Sequence, residues 1–372
     1  MKVHFFLRTL NEVSGGGSHY NAIAYIRALR RRGHEVSVHV FYNRGNQFPQ
    51  DIVPEVHEGW ALGVVGERDY LVELLRRYEP QADAYFLYGV DFIWAGGRYR
   101  RRGGKVPAGV YIDGYLSSMG LVHAASWRDT WYRYKRWVWD KMALADARHL
   151  DRFLPCSPYI GEVYKSFGFP KERFVVLPNI VPDAAEGIAR SPQEAKSISI
   201  LYVGRLTYDK GMDLLLDALA RLKEYAWTLT VVGDGEMRPQ VERAIAEGMP
   251  VEMAGWVPQP TVGGFYAKAD IFVHPARWPD PAPRTIVDAI SFGLPVVVPS
   301  TGGSSWIADG AGLVFASGDK EELYLALKKL LASETQRKEV GSRGPARAQG
   351  FREDKVAQQL EDILKHLGSP LA

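Results

Sequence analysis

The sequence predicts an α/β protein built from two domains, each with a parallel sheet covered by helices on both faces. Three observations support this fold class. The chain has 372 residues, which is too long for one ordinary core and sufficient for two domains. Short apolar runs alternate with segments of helical periodicity, and this alternation starts again near Ser197 after a proline-rich stretch.

The first half begins with a strand–helix–strand unit. Residues 3–7 form an apolar run, residues 14–18 are a Gly/Ser loop, and residues 19–32 place apolar side chains at helical spacing. Gly33 ends this helix and residues 35–41 form the next strand, so the unit predicts a parallel pair. Further strands are predicted at residues 84–87, 109–112, 152–156 and 173–177.

The second half repeats the pattern after a junction at residues 177–191. This junction contains Pro178, Pro182 and Asp183, as expected of a linker between domains. Helices are predicted at residues 212–225, 239–248 and 285–292, with a terminal helix at 352–367. Strands are predicted at residues 197–203, 228–232, 251–253, 271–274, 295–299 and 312–315.

The composition is that of a globular protein in a reducing compartment. Hydrophobic residues make up 46% of the chain and charged residues 24%. The single cysteine, Cys156, excludes an intramolecular disulfide, so we expect a cytoplasmic protein. The apolar run at residues 3–7 is too short for a signal peptide or a membrane span.

Charge is distributed unevenly along the chain. The net charge is +3, with about +7 in residues 1–180 and about −4 in residues 181–372. The basic first half suits an anionic acceptor or a membrane surface, although ordinary surface variation explains it equally well. An acidic second half without a recognition motif argues against a nucleic-acid partner.

Residues 126–145 combine aromatic and basic side chains at helical spacing. Trp127, Trp131 and Tyr134 fall on one face, and most of the arginines and lysines fall elsewhere. Such a helix either packs in the core with a basic solvent face or lies on a membrane interface beside a lipid-linked acceptor.

Two glycine-containing loops follow strands and precede helices. Gly15, Gly16 and Gly17 come after the first strand, and they form either a plain tight turn or a loop that faces a ligand. In the second domain, Arg205 and Lys210 lie where the strand at 197–203 gives way to a helix. Ligands of α/β sheets bind outside the carboxyl ends of strands, and these two cations suit a diphosphate.

A pair of carboxylates surrounds the start of the helix at 285–292. Asp280 lies in the preceding loop, and Asp288 lies on the first turn, where it can accept hydrogen bonds from the hydroxyls of a ribose. Pro283 is suited to a helix start, and Arg284 and Thr285 then present backbone N–H groups to an anion. The alternative is compensation of the helix dipole by Asp288 and solvation of Asp280.

The run from Asp280 to Pro295 resembles the signature of family 4 glycosyltransferases, in which two carboxylates separated by seven residues precede Ala, Gly and Pro-Val. Other segments resemble the family in the same order, among them GRLTYDKGMDLLLDAL and VVGDGE. The resemblance implies a GT-B fold, with two Rossmann-like domains facing each other across a cleft. It implies an acceptor-binding domain at residues 1–181 plus 350–372, with a returning C-terminal helix, and a nucleotide-sugar-binding domain at 182–349.

The resemblance also implies a retaining, metal-independent transfer of a hexose or deoxyhexose from a UDP-, GDP- or dTDP-sugar, with no further cofactor. The acceptor would be a glycan, a lipid-linked sugar or a small molecule in polysaccharide biosynthesis, in the cytoplasm or at the inner face of the membrane. Asp280 and Asp113 are the catalytic candidates, and Gly15, Gly16 and Gly17 form the acceptor-side loop. The donor would be bound by Gly204, Arg205, Lys210, Gly233, Arg284, Thr285 and Asp288.

The chain departs from the family pattern at several of these positions. Both signature carboxylates are usually Glu, and Asp113 stands where the family often has His. Pro281-Ala282-Pro283 replaces a stretch rich in glycine and removes two backbone donors. The alternative hypothesis is therefore a catalytically weak or silent relative that binds sugar nucleotides. A GT-B epimerase or phosphorylase is a third class, for which no additional motif is present.

Overall fold

The computed structural model divides the chain into two compact units, which are described separately. Unit 1 comprises Met1–Ile180 and Val356–Ala372, and unit 2 comprises Val181–Lys355. The structure describes residues 1–12, 16–41, 47–57, 63–116, 131, 134, 137, 138, 140, 141, 144–181, 188 and 197–369.

Unit 1 is built on a parallel six-stranded sheet. Its strands are β1 (Lys2–Leu7), β2 (Glu35–Val40), β3 (Glu55–Val56), β4 (Ala84–Tyr88), β5 (Ala108–Ile112) and β6 (Arg152–Pro155). Their order is β3-β2-β1-β4-β5-β6. Its helices are α1 (Gly16–Arg31), α2 (Gly63–Tyr78), α3 (Ile93–Arg101) and α4 (Pro158–Phe167). Most strand residues are buried because helices cover both faces of the sheet, and Val3, Phe5 and Phe6 are fully buried.

Unit 2 carries a second parallel six-stranded sheet. Its strands are β7 (Ile198–Val203), β8 (Trp227–Val232), β9 (Val251–Gly255), β10 (Ile271–Val273), β11 (Val296–Pro299) and β12 (Gly312–Phe315), in the order β12-β11-β10-β7-β8-β9. Its helices are α5 (Met212–Ala220), α6 (Arg238–Ala246), α7 (Gln259–Lys268), α8 (Arg284–Ser291), α9 (Ser304–Ala308), α10 (Lys320–Ala332), α11 (Glu334–Gly341) and α12 (Gly344–Ala348).

The last helix, α13 (Glu353–Lys365), returns to unit 1, as the terminal apolar periodicity allows. Arg32 Nε donates to Glu361 Oε2 at 2.5 Å, and Gln359 Nε2 donates to the carbonyl of Val176 at 2.6 Å. Buried Leu360 and Leu364 complete the contact. Burial of this apolar face, rather than helix propensity alone, explains why the chain ends on unit 1.

The predicted α/β class with two parallel sheets is confirmed, and several element boundaries are wrong. Residues 173–177 do not form a regular strand. Phe174 makes a single bridge to Phe153, and the backbone N–H groups of Val175 and Leu177 donate to carbonyls of β6. Prolines at 170 and 178 flank the segment and remove backbone donors, so no regular ladder develops.

Two helices also differ from the prediction. The helix predicted at 212–225 ends at Ala220, where the N–H of Leu222 turns back to the carbonyl of Leu219. Helix α1 begins at Gly16, so Gly16 and Gly17 belong to its first turn instead of a loop, and Gly15 lies outside the described residues. None of the helices in the described part of the chain is long and apolar enough to cross a membrane.

Candidate active site

The strand order of unit 2 determines where a ligand can enter the sheet. From β7 the chain proceeds outward to β8 and β9, and it then returns to β10 on the other side of β7. The segments that follow β7 and β10 therefore diverge to opposite faces and leave a crevice at the carboxyl ends of these two strands. This topological switch point is the usual ligand site of open α/β sheets.

Lys210 and Asp280, one from each side of this crevice, form an ion pair. Their side chains are 12% and 21% exposed. His274, directly after β10, places Nε2 at 3.5 Å from Asp280 Oδ2, which is a long polar contact. Burial alone would raise the pKa of Asp280, but the contact with His274 and the charge of Lys210 outweigh it and lower that pKa well below its usual range. Asp280 is therefore a stable anion.

A second ion pair fixes the segment that leads to Asp280. Arg277 donates to Asp213 through both terminal nitrogens, at 2.6 and 2.5 Å, and its guanidinium lies over the ring of Tyr208. The N–H groups of Arg277 and Trp278 donate to the carbonyl of Asp209 at 2.9 and 3.0 Å. This bidentate clamp ties the segment after β10 to the start of α5. The sequence does not predict this clamp, because nothing in the local sequence marks two residues 64 positions apart as partners.

The backbone of Asp280 is held by the glycine pair before α9. The N–H of Gly303 donates to the Asp280 carbonyl at 2.8 Å. Gly302 has φ +71°, and a Cβ at this position would collide with that same carbonyl. Gly302 is therefore required both by its backbone conformation and by its contact with the Asp280 loop.

Replacing Gly302 with alanine is expected to displace the Asp280 loop and to lower the midpoint of urea unfolding. The positive φ and the backbone collision act together, so the loss should exceed the roughly 1 kcal/mol of an ordinary strained glycine site. Gly264→Ala is the control, because Gly264 lies on helix α7 with open space around it and should be neutral or slightly stabilising. Equal midpoints for the two variants would contradict the role given to Gly302.

Asp288 is a buried carboxylate on α8. It is the fifth residue of the helix, one position beyond the predicted first turn, and it is 2% exposed. Burial raises its pKa to about 6, although Arg284, with Nε at 3.6 Å from Asp288 Oδ2, acts in the opposite direction. Ordinary structural carboxylates are rarely kept in such an environment, and displaced pKa values cluster at functional sites.

Several buried polar atoms around these segments have no hydrogen-bond partner among the described residues. They are Asp288 Oδ1, Arg284 Nε, His274 Nε2, Thr207 Oγ1, Thr301 Oγ1 and Ser304 Oγ. An unpaired buried polar group costs about 1–3 kcal/mol, so a ligand or water that paired these atoms would be stabilised. The set contains acceptors for hydroxyl groups and donors for an anion.

The remaining predicted residues of unit 2 surround the same strand ends. Gly204 donates its N–H to the Val232 carbonyl at 3.0 Å, and Gly233, at φ +140°, packs against the Gly204 carbonyl so closely that no side chain fits. Arg205 is exposed, with its carbonyl accepting from Tyr202 Oη at 2.6 Å. Thr285 is the second residue of α8, and its carbonyl accepts from Tyr266 Oη.

Unit 1 has its own switch point, between β1 and β4, and a cavity of about 180 Å³ lies there. Its polar lining consists of Arg8, Thr9, Ser18, His19, Tyr88, Asp91 and Asp113. Burial raises the pKa of Asp113, and a hydrogen bond from Ser18 Oγ partly offsets it. Burial lowers the pKa of His19, whose Nδ1 accepts from the N–H of Asn11 at 2.9 Å.

Among the predicted residues, the structure pairs Lys210 with Asp280 and Arg284 with Asp288, and it places Asp113 on the cavity of unit 1. Most of residues 126–145 lie outside the described part of the chain. Ser18 and His19 also line this cavity, although they were not among the predicted site residues. Their position, directly after the glycine run and at the start of α1, is the signal that could have found them.

Two family models match this chain over adjoining parts. The model described as Glycosyltransferase Family 4 matches residues 15–184, and the one described as Glycosyl transferases group 1 matches residues 197–333. Together they span both sheets and the segments that bear the two carboxylates. The chain belongs to the family 4 glycosyltransferases and has the GT-B fold, which confirms the resemblance drawn from the motifs.

Curated relatives and solved structures agree with this assignment. The chain is 25% identical to a GDP-mannose-dependent alpha-mannosyltransferase of Mycobacterium tuberculosis, over 80% of this chain and 78% of that protein. It is 29% identical to the sulfoquinovosyl transferase SQD2 of Arabidopsis thaliana, over 41% of this chain and 30% of that protein. The first four curated relatives are matched over only 27–58% of their own length. The structure of Anabaena HepE in complex with UDP and glucose superimposes with a TM-score of 0.73 at 19% identity, over 98% of this chain and 99% of that chain.

Proposed function

We propose that this protein transfers a sugar, with retention of configuration, from a nucleoside diphosphate sugar to a carbohydrate or lipid-linked acceptor. The observation that carries the proposal is the switch point of unit 2, where the Lys210–Asp280 ion pair precedes a helix with the buried carboxylate Asp288, whose Oδ1 has no hydrogen-bond partner among the described residues. A diphosphate needs a cation, which Lys210 supplies. The hydroxyls of the sugar and of the ribose need acceptors, which Asp280 and Asp288 supply.

Each donor residue has a distinct task in this proposal. Arg205 and Lys210 bind the diphosphate, and Asp288 accepts hydrogen bonds from the ribose hydroxyls. Gly204 and Gly233 leave room for the ligand because neither carries a side chain at the strand ends. The free N–H groups at the start of α8, from Arg284 and Thr285, face the phosphate or the sugar.

In this proposal, Lys210 of the Lys210–Asp280 ion pair takes the place of a metal ion. When the donor binds, Lys210 is shared between Asp280 and the diphosphate, and Asp280 turns to the hydroxyls of the transferred sugar. Because Lys210 is mostly buried, its charge stabilises the leaving diphosphate more strongly than it would in water. Arg205 adds a second cation at the solvent side.

The names of relatives support either of two nucleotides. The mycobacterial relative is named as dependent on GDP-mannose, and the Anabaena structure contains UDP. We propose a UDP- or GDP-sugar as donor, with dTDP-sugars as the comparison. Nucleotide sugars and a single, buried cysteine that forms no disulfide, Cys156, suit a cytoplasmic site of action.

The cavity of unit 1 is the proposed acceptor side. Replacing Asp113 with asparagine should slow transfer to the acceptor at least tenfold, because a positioned carboxylate near the reacting hydroxyl is removed. The dissociation constant of the nucleotide should not change, since the proposed donor residues are in unit 2. Asp362→Asn, on the exposed face of α13, is the matched control. A parallel loss of nucleotide affinity in Asp113→Asn would contradict an acceptor role.

The alternative is a sugar-nucleotide-binding protein without useful turnover. Two observations favour it: Asp280 is already paired with Lys210, and its side chain is one methylene shorter than the glutamate usual in the family. Both hypotheses predict that the protein binds a sugar nucleotide, and only the transferase hypothesis predicts turnover.

One experiment separates them. UDP-, GDP- and dTDP-sugars are incubated with the full chain, with EDTA and with a panel of acceptors, and both binding and release of nucleoside diphosphate are measured. We expect one nucleotide class to bind, to turn over with EDTA present, and to give a product whose anomeric proton retains the donor configuration. Binding without turnover would favour the silent relative, and failure to bind any nucleotide would contradict both.

A further inference from the structure

Three buried histidines form a row on one face of the sheet of unit 1. His4 lies on β1, His39 on β2, and His57 directly after β3. His39 Nε2 is 2.9 Å from His4 Nδ1, and His39 Nδ1 is 3.0 Å from His57 Nε2. His39 is 1% exposed, with its ring stacked on Phe6. The proposed sugar transfer uses none of these side chains.

A carboxylate completes the cluster at its outer end. The register of β2 and β3 sets His39 directly opposite Glu55, so both side chains point to the same face. Glu55 Oε2 lies 3.7 Å from His39 Nδ1, and Oε1 lies 4.0 Å from His57 Nε2. The candidate ligand atoms of His39, His57 and Glu55 thus all lie within 4.8 Å of one another, and Glu55 is 52% exposed.

We propose that His39 Nδ1, His57 Nε2 and Glu55 bind a divalent transition-metal ion of the Zn²⁺ type, with a fourth position left for water. Metal–ligand bonds of about 2.0–2.2 Å in a tetrahedron place the ligand atoms roughly 3.3–3.5 Å apart. The two imidazole nitrogens are 3.0 Å apart, and a Glu55 oxygen lies 3.7 Å from one of them and 4.0 Å from the other, which is close to this value. A set of two imidazoles and one carboxylate suits Zn²⁺ better than Mg²⁺ or Ca²⁺, which prefer oxygen ligands.

The surroundings of the cluster support a metal site. A histidine that binds metal through one nitrogen usually donates a hydrogen bond from the other, and His39 Nε2 lies 2.9 Å from His4 Nδ1, which can accept that bond. The hydroxyl of Tyr78 donates to Glu55 and orients its carboxylate.

The site would have a structural role. β3 contains only two residues and pairs with β2 alone, at the edge of the sheet. An ion held by His39 on β2, and by Glu55 and His57 on and after β3, ties this short strand to the sheet. Arg77 places a positive charge near His57, and Glu55 places an opposing negative charge there. The inference does not depend on the proposed transferase reaction, which needs no metal.

The experiment uses the full chain after dialysis against a chelator. Zn²⁺ is titrated by calorimetry, and Co²⁺ is added separately because a tetrahedral site gives it visible absorption bands. We expect one equivalent to bind, Co²⁺ to show those bands, and the unfolding midpoint to rise with the metal. Glu55→Gln and His57→Gln should each weaken the affinity at least tenfold, and Tyr78→Phe by about 10- to 100-fold through the lost outer contact.

Two variants serve as matched controls. Glu73→Gln changes an exposed glutamate on α2, and His366→Gln changes an exposed histidine after α13, so both should leave affinity unchanged. Glu55 is half exposed, so Glu55→Gln should fold even if His57→Gln does not, and circular dichroism checks this. Absence of one-equivalent binding would overturn the proposal and leave the row as a chain of hydrogen-bonded imidazoles. Unchanged affinity in a folded Glu55→Gln together with Tyr78→Phe would overturn it as well.

Discussion

Replacing Lys210 with methionine is expected to lower kcat/KM for sugar transfer by about 100- to 1000-fold, the usual cost of removing one preorganised group that stabilises developing charge. Lys210 is the mostly buried cation of the crevice, and its charge is the one that would meet the leaving diphosphate. Methionine preserves the length of the side chain and removes only the charge. The nucleotide dissociation constant and the turnover rate are measured separately, because the loss should appear in both.

The ion pair allows a sharper test of this role. If Lys210 served only to neutralise Asp280, removing both charges in Lys210→Met/Asp280→Asn would restore affinity for the nucleoside diphosphate, whereas a phosphate-binding role predicts that the double variant binds it as weakly as Lys210→Met. Lys320→Met is the matched control, since Lys320 pairs with Asp217 on the exposed surface of the same unit. Surface pairs of this kind contribute little, so this control should keep its activity. Recovery in the double variant would refute the assigned role.

The second large effect concerns Asp288 and depends on pH. Its pKa of about 6 in the folded protein lies above its ordinary value of 3.8. The stability that protonated Asp288 contributes is therefore fully present below about pH 4 and is lost as the pH rises through about 6. The loss amounts to about 3 kcal/mol on the scale of 1.36 kcal/mol per pKa unit. Asp288→Asn should remove this penalty, so its advantage in unfolding free energy over the unmodified protein should grow from pH 4 to pH 7.5.

The affinity for the nucleotide should rise with pH, whereas the contribution of Asp288 to stability falls. A ribose donates two hydroxyl hydrogen bonds to an ionised Asp288, so affinity for the nucleoside diphosphate should fall as the pH drops through about 6. Asp288→Asn should bind about tenfold or more weakly at pH 7.5, since a hydrogen bond to a charged group contributes about 1.5–3 kcal/mol. Asp354→Asn, an exposed change on α13, is the control. A variant that gained stability without losing affinity would show that Asp288 does not contact the nucleotide.

The sequence predicted the sheets well because a parallel strand covered on both faces leaves a recognisable run of apolar residues. The segments at 3–7, 84–87 and 109–112 therefore correspond to strands of unit 1 within one or two residues. The segment at 173–177 resembled these runs, yet it makes a single bridge and two backbone hydrogen bonds to β6. Composition does not record whether an apolar run continues into a regular ladder.

The candidate site was predicted in part for a similar reason. Arg205, Lys210, Asp280 and Asp288 are marked by their positions after strands and at a helix start, which sequence shows directly. That Lys210 pairs with Asp280, or Arg277 with Asp213, depends on β10 lying beside β7, and strand order is a property of the folded sheet. The histidine row of unit 1 depends in the same way on the register of β1, β2 and β3.

Amide hydrogen exchange with and without a UDP- or GDP-sugar tests the central claim most directly, namely that the crevice of unit 2 binds the donor. The measurement locates the ligand without requiring turnover or a known acceptor. We predict that the nucleotide sugar slows exchange at residues 204–211, between β7 and α5, and at residues 284–289 of α8. Binding that left both segments unchanged, or that slowed exchange only in unit 1, would contradict the account.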